Sequence, residues 1–161
     1  MSIVKTSMRA LSIFALASAT ACLSGNLDGP EEIPIEQTEF AASLGVNLSA
    51  STRTPNGAYY RDLVVGTGAV VANGDSVSVR YTGWLSNGTQ FDSNVDAPQP
   101  LTFKLGFRDV IQGFDETLVG VRVGSQRQLI IPPYLAYGPS DYGPIPGQSV
   151  LVFKVEVISK K

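Results

Sequence analysis

The sequence predicts an α+β domain in which an antiparallel β-sheet of about five strands packs on one short α-helix. Three observations support this prediction. Segments after Ala58 alternate apolar and polar residues, as half-buried strands do. The Asn87-Gly88 pair is a strong signal for a two-residue hairpin turn. Only one segment, around residue 114, spaces its apolar residues as a helix does, and a short helix among several strands is typical of a sheet with one face on that helix.

Period-two alternation locates the strands in chain order. In SVSVRYTGW at 76–84, Val77, Val79 and Tyr81 face one way and the polar residues between them face the other. The Asn-Gly corner then returns the chain as a hairpin. Three more strands follow: LTFKL at 101–105, SQRQLII at 125–131 and SVLVFKVEVIS at 149–159.

The helix is predicted in VIQGFDETLVG at 110–120. Phe114 and Leu118 are four residues apart and therefore lie on one helical face. Asp115 and Glu116 are placed where acids favour the first turn, and Gly120 can end the helix. The sheet is accordingly expected to bury one face against this helix.

The first 22 residues are typical of an export signal. Lys5 and Arg9 precede a 12-residue small and apolar run from Ala10 to Ala21, too short to span a bilayer but suited to a signal-peptide core. We therefore predict a signal peptide at 1–21 and export from a bacterial cytoplasm. Cys22, the single cysteine of the chain, directly follows this run.

Two fates of the N-terminus remain open. ATAC at 19–22 resembles a bacterial lipobox, in which Cys22 is acylated, although Ala19 stands where that pattern prefers Leu. The same small residues also fit plain cleavage after Ala19, which would leave a periplasmic or secreted protein. Acylation would attach the chain to the membrane, and Leu23 after the cysteine favours the outer membrane, in bacteria that have one, over the periplasmic face of the inner membrane.

Residues 22–57 are predicted to be the lipid-anchor cysteine and a flexible polar linker, and residues 58–161 the folded domain. The linker is polar and small, carries five acids, and has Pro30 and Pro34 to interrupt an early helix.

Composition excludes several kinds of chemistry. The 161 residues contain no histidine and one cysteine, which removes His-based triads and argues against a metal site or any cofactor. The net charge of −2, without a Lys/Arg cluster, gives no nucleic-acid footprint. A paired-carboxylate hydrolase remains an option, with acids available at Asp92, Asp96, Asp109 and Asp115.

Three segments resemble, in order and in register, the FKBP-type peptidyl-prolyl cis-trans isomerases. They are VRYTGWLSNGTQFDS, VIQGFDETLVGVRVGSQRQLIIPPYLAYG and IPGQSVLVFKVEVI, and the resemblance covers about residues 58–158. It implies the FKBP-like fold, a twisted antiparallel sheet wrapped around a short helix. Relatives that dimerise do so through a long helical N-terminal region, which about thirty polar linker residues cannot supply, so the resemblance implies a monomer. It also implies a peptidyl-prolyl isomerase that acts on proline-containing polypeptides in protein folding and that macrolides of the rapamycin and tacrolimus type inhibit.

The resemblance also implies a hydrophobic proline pocket. Its residues would be the walls Tyr81, Phe91, Phe103 and Phe153, the flanking Val110 and Ile111, the floor Phe114, the rim hydroxyl of Tyr137, Ile145 in the loop above, and the polar group Asp92. The Ile111 N–H would hold a substrate carbonyl. An apolar pocket would promote rotation about the X–Pro bond without covalent or acid–base chemistry.

Three positions depart from the family pattern. Phe114 stands where many members have Trp, Ala97 stands where some have an Arg facing the pocket acid, and the loop at 138–147 is short, with Tyr142 near its tip. These differences bear on substrate preference and macrolide affinity more than on activity. A catalytically weak FKBP-like module that only binds Pro-containing segments is the alternative function.

Overall fold

The computed structural model describes residues 34–161, so the predicted signal peptide and Cys22 lie outside the described residues. Within residues 34–161 no helix is long and apolar enough to cross a bilayer. These residues form seven strands and one α-helix: β1 Thr52–Arg53, β2 Tyr59–Val64, β3 Ser76–Leu85, β4 Gln90–Ser93, β5 Leu101–Lys104, α1 Gln112–Leu118, β6 Gln126–Ile131 and β7 Leu151–Lys160.

All strands pair antiparallel in one sheet of order β1-β2-β6-β7-β3-β4, with β5 also paired to β3. The predicted antiparallel sheet and single short helix are confirmed, but about five strands was too few. The sequence reading missed β1 and β2. β1 has only two residues, and YYRDLV in β2 has no apolar alternation because its last three residues are exposed. Period-two patterning detects half-buried strands and therefore passes over both.

The helix α1 lies close against β6 on one face of the sheet. A Cβ on Gly113 would lie 2.3 Å from Ile131 Cγ2, so only glycine permits this approach. Phe114 and Leu118 point into the main core, as their spacing predicts, together with Leu129 and Val155 from the central strands. This contact fixes the position of the helix start, where Ile111 lies.

The other face of the sheet is also covered, by the segment before β1. Its three short 3-10 turns are Ile35–Gln37, Ala42–Leu44 and Leu48–Ala50. Ile35 is buried in a second apolar cluster with Tyr59, Ile130 and Val152, and Phe40 and other apolar side chains pack against that cluster. The sequence predicts a flexible polar linker up to residue 57, whereas residues from Pro34 onward have defined turns on the sheet. The difference arises because the apolar residues are sparse and irregularly spaced, so no period reveals them.

A buried arginine joins the sheet to the end of the helix. Arg127 on β6 forms a two-pronged ion pair with Asp62 on β2, with distances of 2.6 and 3.0 Å. Its remaining nitrogen donates to the Thr117 carbonyl in α1 at 2.7 Å, and its guanidinium lies 4.4 Å from the centre of the Tyr60 ring. Each of the three guanidinium nitrogens of this buried cation therefore has a hydrogen-bond partner, as burial of a charge requires.

Candidate active site

Four aromatic rings from four elements meet beside the helix. Tyr81 comes from β3, Phe91 from β4, Phe114 from α1 and Phe153 from β7. Phe153 is central, with ring centroids 5.6 Å from Phe91, 5.3 Å from Phe114 and 6.2 Å from Tyr81. All three contacts are edge-to-face, a geometry that contributes about 0.5–1.5 kcal/mol per pair beyond the buried area. The rings thus form a rigid apolar wall.

This arrangement depends on a glycine in β3. A Cβ on Gly83 would lie 2.7 Å from Phe91 Cζ and 2.8 Å from Phe153 Cε1, distances that real side chains do not adopt. The two rings therefore cross directly over the Gly83 backbone. Sequence reasoning used the Tyr-Thr-Gly motif only as part of a resemblance and did not identify this steric requirement.

The rings enclose a cavity of about 250 Å³ that is open to solvent. This is below the ~300–1,000 Å³ of sites for drug-sized ligands, so the space suits one side chain with its adjoining amide. The lining residues are Tyr81, Phe91, Asp92, Leu101, Asp109, Val110, Ile111, Phe114, Tyr137 and Phe153. Eight of the ten predicted pocket residues are among them, and Leu101 and Asp109 are additional.

Two predicted pocket residues lie elsewhere. Phe103 is buried behind the cavity, with its ring 6.0 Å from that of Phe114. Strand register explains this placement: β5 pairs Leu101 with Val79, two residues before Tyr81, but pairs Phe103 with Val77, two residues farther away. Ile145 is 4% exposed, packs in the main core cluster and is not among the lining residues, and its backbone exchanges two hydrogen bonds with that of Tyr142.

The polar side of the cavity is a tyrosine–aspartate pair. The Tyr81 hydroxyl donates to Asp92 Oδ2 at 2.5 Å. Burial, and then this hydrogen bond, raise the pKa of Tyr81 well above that of a free phenol. The hydroxyl therefore stays protonated, and its proton is already committed to the carboxylate, whose residue is exposed at the cavity mouth.

The loop after Asp92 is held in place from β3. Asn94 accepts from the Tyr81 backbone N–H at 2.7 Å and donates to the Val79 carbonyl at 3.0 Å. Arg80 donates to three carbonyls of this loop, including that of Ala97 at 2.8 Å. Because residue 97 is alanine, its side chain offers Asp92 no charge partner.

The start of the helix presents a free backbone donor. Ile111 is the residue before α1; its carbonyl accepts from Phe114 N, but its own N–H donates to no acceptor within residues 34–161. The buried Asp115 carboxylate positions the preceding loop by accepting from Gly106 N at 3.1 Å and Arg108 N at 3.0 Å. A positioned, unused N–H beside an apolar cavity can bind a carbonyl oxygen.

A second donor stands at the rim. Tyr137 is 36% exposed, and its ring is stacked on Tyr142 with centroids 4.3 Å apart. Burial, with smaller contributions from Tyr142 and Asp92, raises the pKa of Tyr137, so its hydroxyl remains a donor at neutral and mildly alkaline pH. Tyr142 is 60% exposed and extends the aromatic rim beyond the cavity.

Comparison with known proteins shows the family of the chain that forms this cavity. The family model for FKBP-type peptidyl-prolyl cis-trans isomerases matches residues 68–158, more than half of the chain. The chain belongs to this family. The FKBP signature therefore covers every residue that lines the cavity.

Relatives and solved structures agree with the assignment. The chain is 44% identical over 103 residues to an FK506-binding protein of Neisseria meningitidis serogroup B, covering 63% of this chain and 94% of that one. It is 44% identical over 112 residues to FK506-binding protein 4 of Dictyostelium discoideum, spanning 69% of this chain but only 30% of that longer protein.

Two crystal structures share the FKBP fold. AtFKBP13 superposes with a TM-score of 0.64 and 36% identity, covering 69% of this chain and 98% of its own. FkpA from Escherichia coli gives the same TM-score and identity, covering 70% of this chain and 52% of its own.

The four acids considered for the hydrolase alternative lie in different parts of the structure. Asp92 and Asp109 line the cavity, whereas Asp96 is outside the lining and Asp115 is bound by two backbone amides. The hydrolase alternative needs two acids on one cleft, and Asp92 and Asp109 both line this cavity. It has no support from the family, and one of its candidate acids is structural.

Proposed function

We propose that this protein accelerates cis–trans isomerisation of X–Pro bonds in polypeptides that fold in the bacterial cell envelope. The observation that carries the proposal is the open aromatic cavity with an unused Ile111 N–H at its edge. A prolyl ring would enter between Tyr81, Phe91 and Phe153, with Phe114 as the floor. The adjoining carbonyl would accept from Ile111 N–H.

The cavity promotes rotation by replacing water around the amide. Rotation about the peptide bond has a barrier of ~18–20 kcal/mol because resonance is lost in the twisted state. The planar amide is more charge-separated than the twisted one. An apolar wall therefore raises the free energy of the planar state more than that of the twisted state, which lowers the barrier. Each ~1.36 kcal/mol gained in this way increases the rate tenfold.

Hydrogen bonds at the edge then favour the twisted geometry. Ile111 N–H holds one carbonyl and the Tyr137 hydroxyl is placed to donate to another, so that the chain on either side of the proline is fixed while the bond turns. Asp92 orients Tyr81 and gives the mouth its polarity. The mechanism has no proton transfer and no covalent intermediate, and the hydroxyl pKa shifts keep both tyrosines protonated.

The cellular setting follows from the N-terminus. Residues 1–21 direct export and Cys22 becomes an acylated N-terminus, which anchors a monomeric chain to the membrane facing the periplasm. Cleavage without acylation would leave the same activity free in the periplasm. Macrolides of the rapamycin and tacrolimus type would compete for the cavity, as the names of the FK506-binding relatives suggest.

An isomerase assay tests the proposal. The purified protein should increase the exchange rate of a short Leu-Pro or Phe-Pro peptide, followed by NMR without a coupling protease. Binding of the peptide without acceleration would overturn the proposal in favour of the binding-module alternative. The intact mass of the protein from a membrane fraction should show acyl chains on Cys22, and an unmodified mass would refute the anchor alone.

A further inference from the structure

The charged side chains that line the cavity are all acidic. Its lining includes two carboxylates, Asp92 and Asp109, and no lysine or arginine. The remaining lining is aromatic or aliphatic. Both acids are on exposed residues at the mouth, so they face whatever extends from the cavity into solvent.

Neither carboxylate is neutralised by a basic side chain. Asp92 accepts from the Tyr81 hydroxyl, and Asp109 accepts from the Lys104 backbone N–H at 3.0 Å. These are neutral donors, which orient a carboxylate without cancelling its charge. Among residues 34–161, neither acid takes part in an ion pair. The three pairs found there are Arg53–Glu36, Arg127–Asp62 and Lys160–Asp75.

The bases nearest in sequence neither line the cavity nor pair with its acids. The Lys104 ammonium lies 4.0 Å from the centre of the Phe107 ring, and Arg108 does not line the cavity although it adjoins Asp109. On the other side of the mouth, Arg80 is bound to loop carbonyls, and Ala97 has no charge. Asp92 and Asp109 are therefore the only charged side chains in the cavity lining, and neither is paired with a cation among residues 34–161.

We infer that the cavity selects proline segments in which a lysine or arginine flanks the proline. The inference rests on the proposed isomerase function and specifies its substrate class. A proline seated among the rings brings the side chains of its two neighbours to the mouth, where Asp92 and Asp109 attract a cation and repel an acid. The chain itself is acidic, with 14 acids against 12 bases, which adds to the same preference.

Peptides that differ in one charge test the inference. Two NMR-exchange sets would place lysine, norleucine or glutamate directly before the proline in one set and directly after it in the other. At about 20 mM salt, kcat/KM for lysine should exceed that for glutamate by about five- to tenfold in at least one set, with norleucine between them. At 1 M salt, where charges are screened beyond ~3 Å, the ratio should fall below about twofold.

Isosteric variants assign the preference to the two acids. Asp109→Asn keeps an oxygen for the Lys104 N–H, and Asp92→Asn keeps one for the Tyr81 hydroxyl, so each removes charge with little change in shape. Each should reduce the lysine-to-glutamate ratio about two- to threefold. Glu39→Gln is the matched control: it removes the same charge from an exposed residue of the N-terminal segment and should leave the ratio unchanged.

The outcomes distinguish failure of the charge preference from failure of the proposed isomerase function. Turnover of norleucine peptides with equal rates for lysine and glutamate in both sets would overturn the inference and leave the isomerase intact. A ratio that changes equally in Glu39→Gln and Asp109→Asn would also overturn it, because net charge would then be the cause. Failure to turn over any peptide would overturn the proposed function and the inference with it.

Discussion

A single methyl group at Gly83 should both strain the domain and reshape the cavity. In Gly83→Ala the new Cβ would be placed 2.7 Å from Phe91 Cζ and 2.8 Å from Phe153 Cε1. Carbon atoms rest at about 3.5–4.0 Å, so the rings must shift by about 0.7–1.3 Å. Gly83 does not have positive φ, so backbone strain is not part of the effect.

The size of the effect follows from core packing. Overpacking of this kind destabilises by about 1–3 kcal/mol, so we expect the free energy of unfolding in urea to fall by about 2 kcal/mol. Both displaced rings line the cavity, and a misplacement of about 1 Å can cost on the order of 100-fold in rate. We therefore expect kcat/KM for a Leu-Pro peptide to fall by about 10- to 100-fold in the folded variant.

A second substitution separates steric strain from other causes. Phe91→Leu shortens one of the two obstructing side chains, so combining it with Gly83→Ala should cost less stability than the sum of the single changes by about 1 kcal/mol. Circular dichroism would show that each variant is folded before turnover is measured. The reasoning is refuted if the free energy of unfolding of Gly83→Ala lies within about 0.5 kcal/mol of the parent's and the variant retains full turnover.

Three further predictions concern other parts of the site and frame. Asp92→Ala should lower kcat/KM about tenfold, because the Tyr81 hydroxyl loses its acceptor, while stability changes by less than about 1 kcal/mol at this exposed acid; unchanged turnover would mean that the polar side of the cavity is misassigned. Arg127→Met should destabilise by about 1–3 kcal/mol, measured by urea unfolding, because the buried Thr117 carbonyl loses its donor and Asp62 loses its ion-pair partner, and a loss under about 0.5 kcal/mol would contradict this. Finally, kcat/KM should be constant from about pH 6 to 9, because the pKa of Tyr137 is raised and its hydroxyl keeps its proton across that range; a fall in kcat/KM between pH 8 and 9 would contradict it.

Local pattern predicted much of the sheet and the helix. Alternation found β3, β5 and β7, because each has one buried and one more exposed face along at least part of its length. β6 was also predicted, although its residues after Gln126 are all buried. The Asn87-Gly88 turn led correctly to β4. Alternation could not find β2, whose residues become more exposed along the strand, or β1, which is too short to have a period.

The site was predicted less from pattern than from resemblance, and the difference between the predicted residues and the cavity lining has a physical cause. Leu101 and Phe103 lie on the same side of β5, so alternation cannot decide which of them reaches the cavity. The pairing of Leu101 with Val79 decides it, and pairing register is a property of the folded sheet. Asp109 could have been suspected from its position next to Val110, but its cavity-facing placement depends on the loop held by Asp115.

The N-terminal segment shows why the cavity cannot be understood from its lining alone. On β7, Phe153 faces the cavity, while its neighbour Val152 faces the opposite side and packs in the cluster that contains Ile35. The same segment donates from Ala41 N to the Ser86 carbonyl at 2.8 Å, in the turn that leads into β4 and Phe91. Two walls of the cavity are thus supported from behind by residues that sequence reading assigns to a linker. In the proposed mechanism the rings are held at fixed distances around an amide, so the segment from Pro34 to β1 contributes to the cavity by packing behind two of its walls.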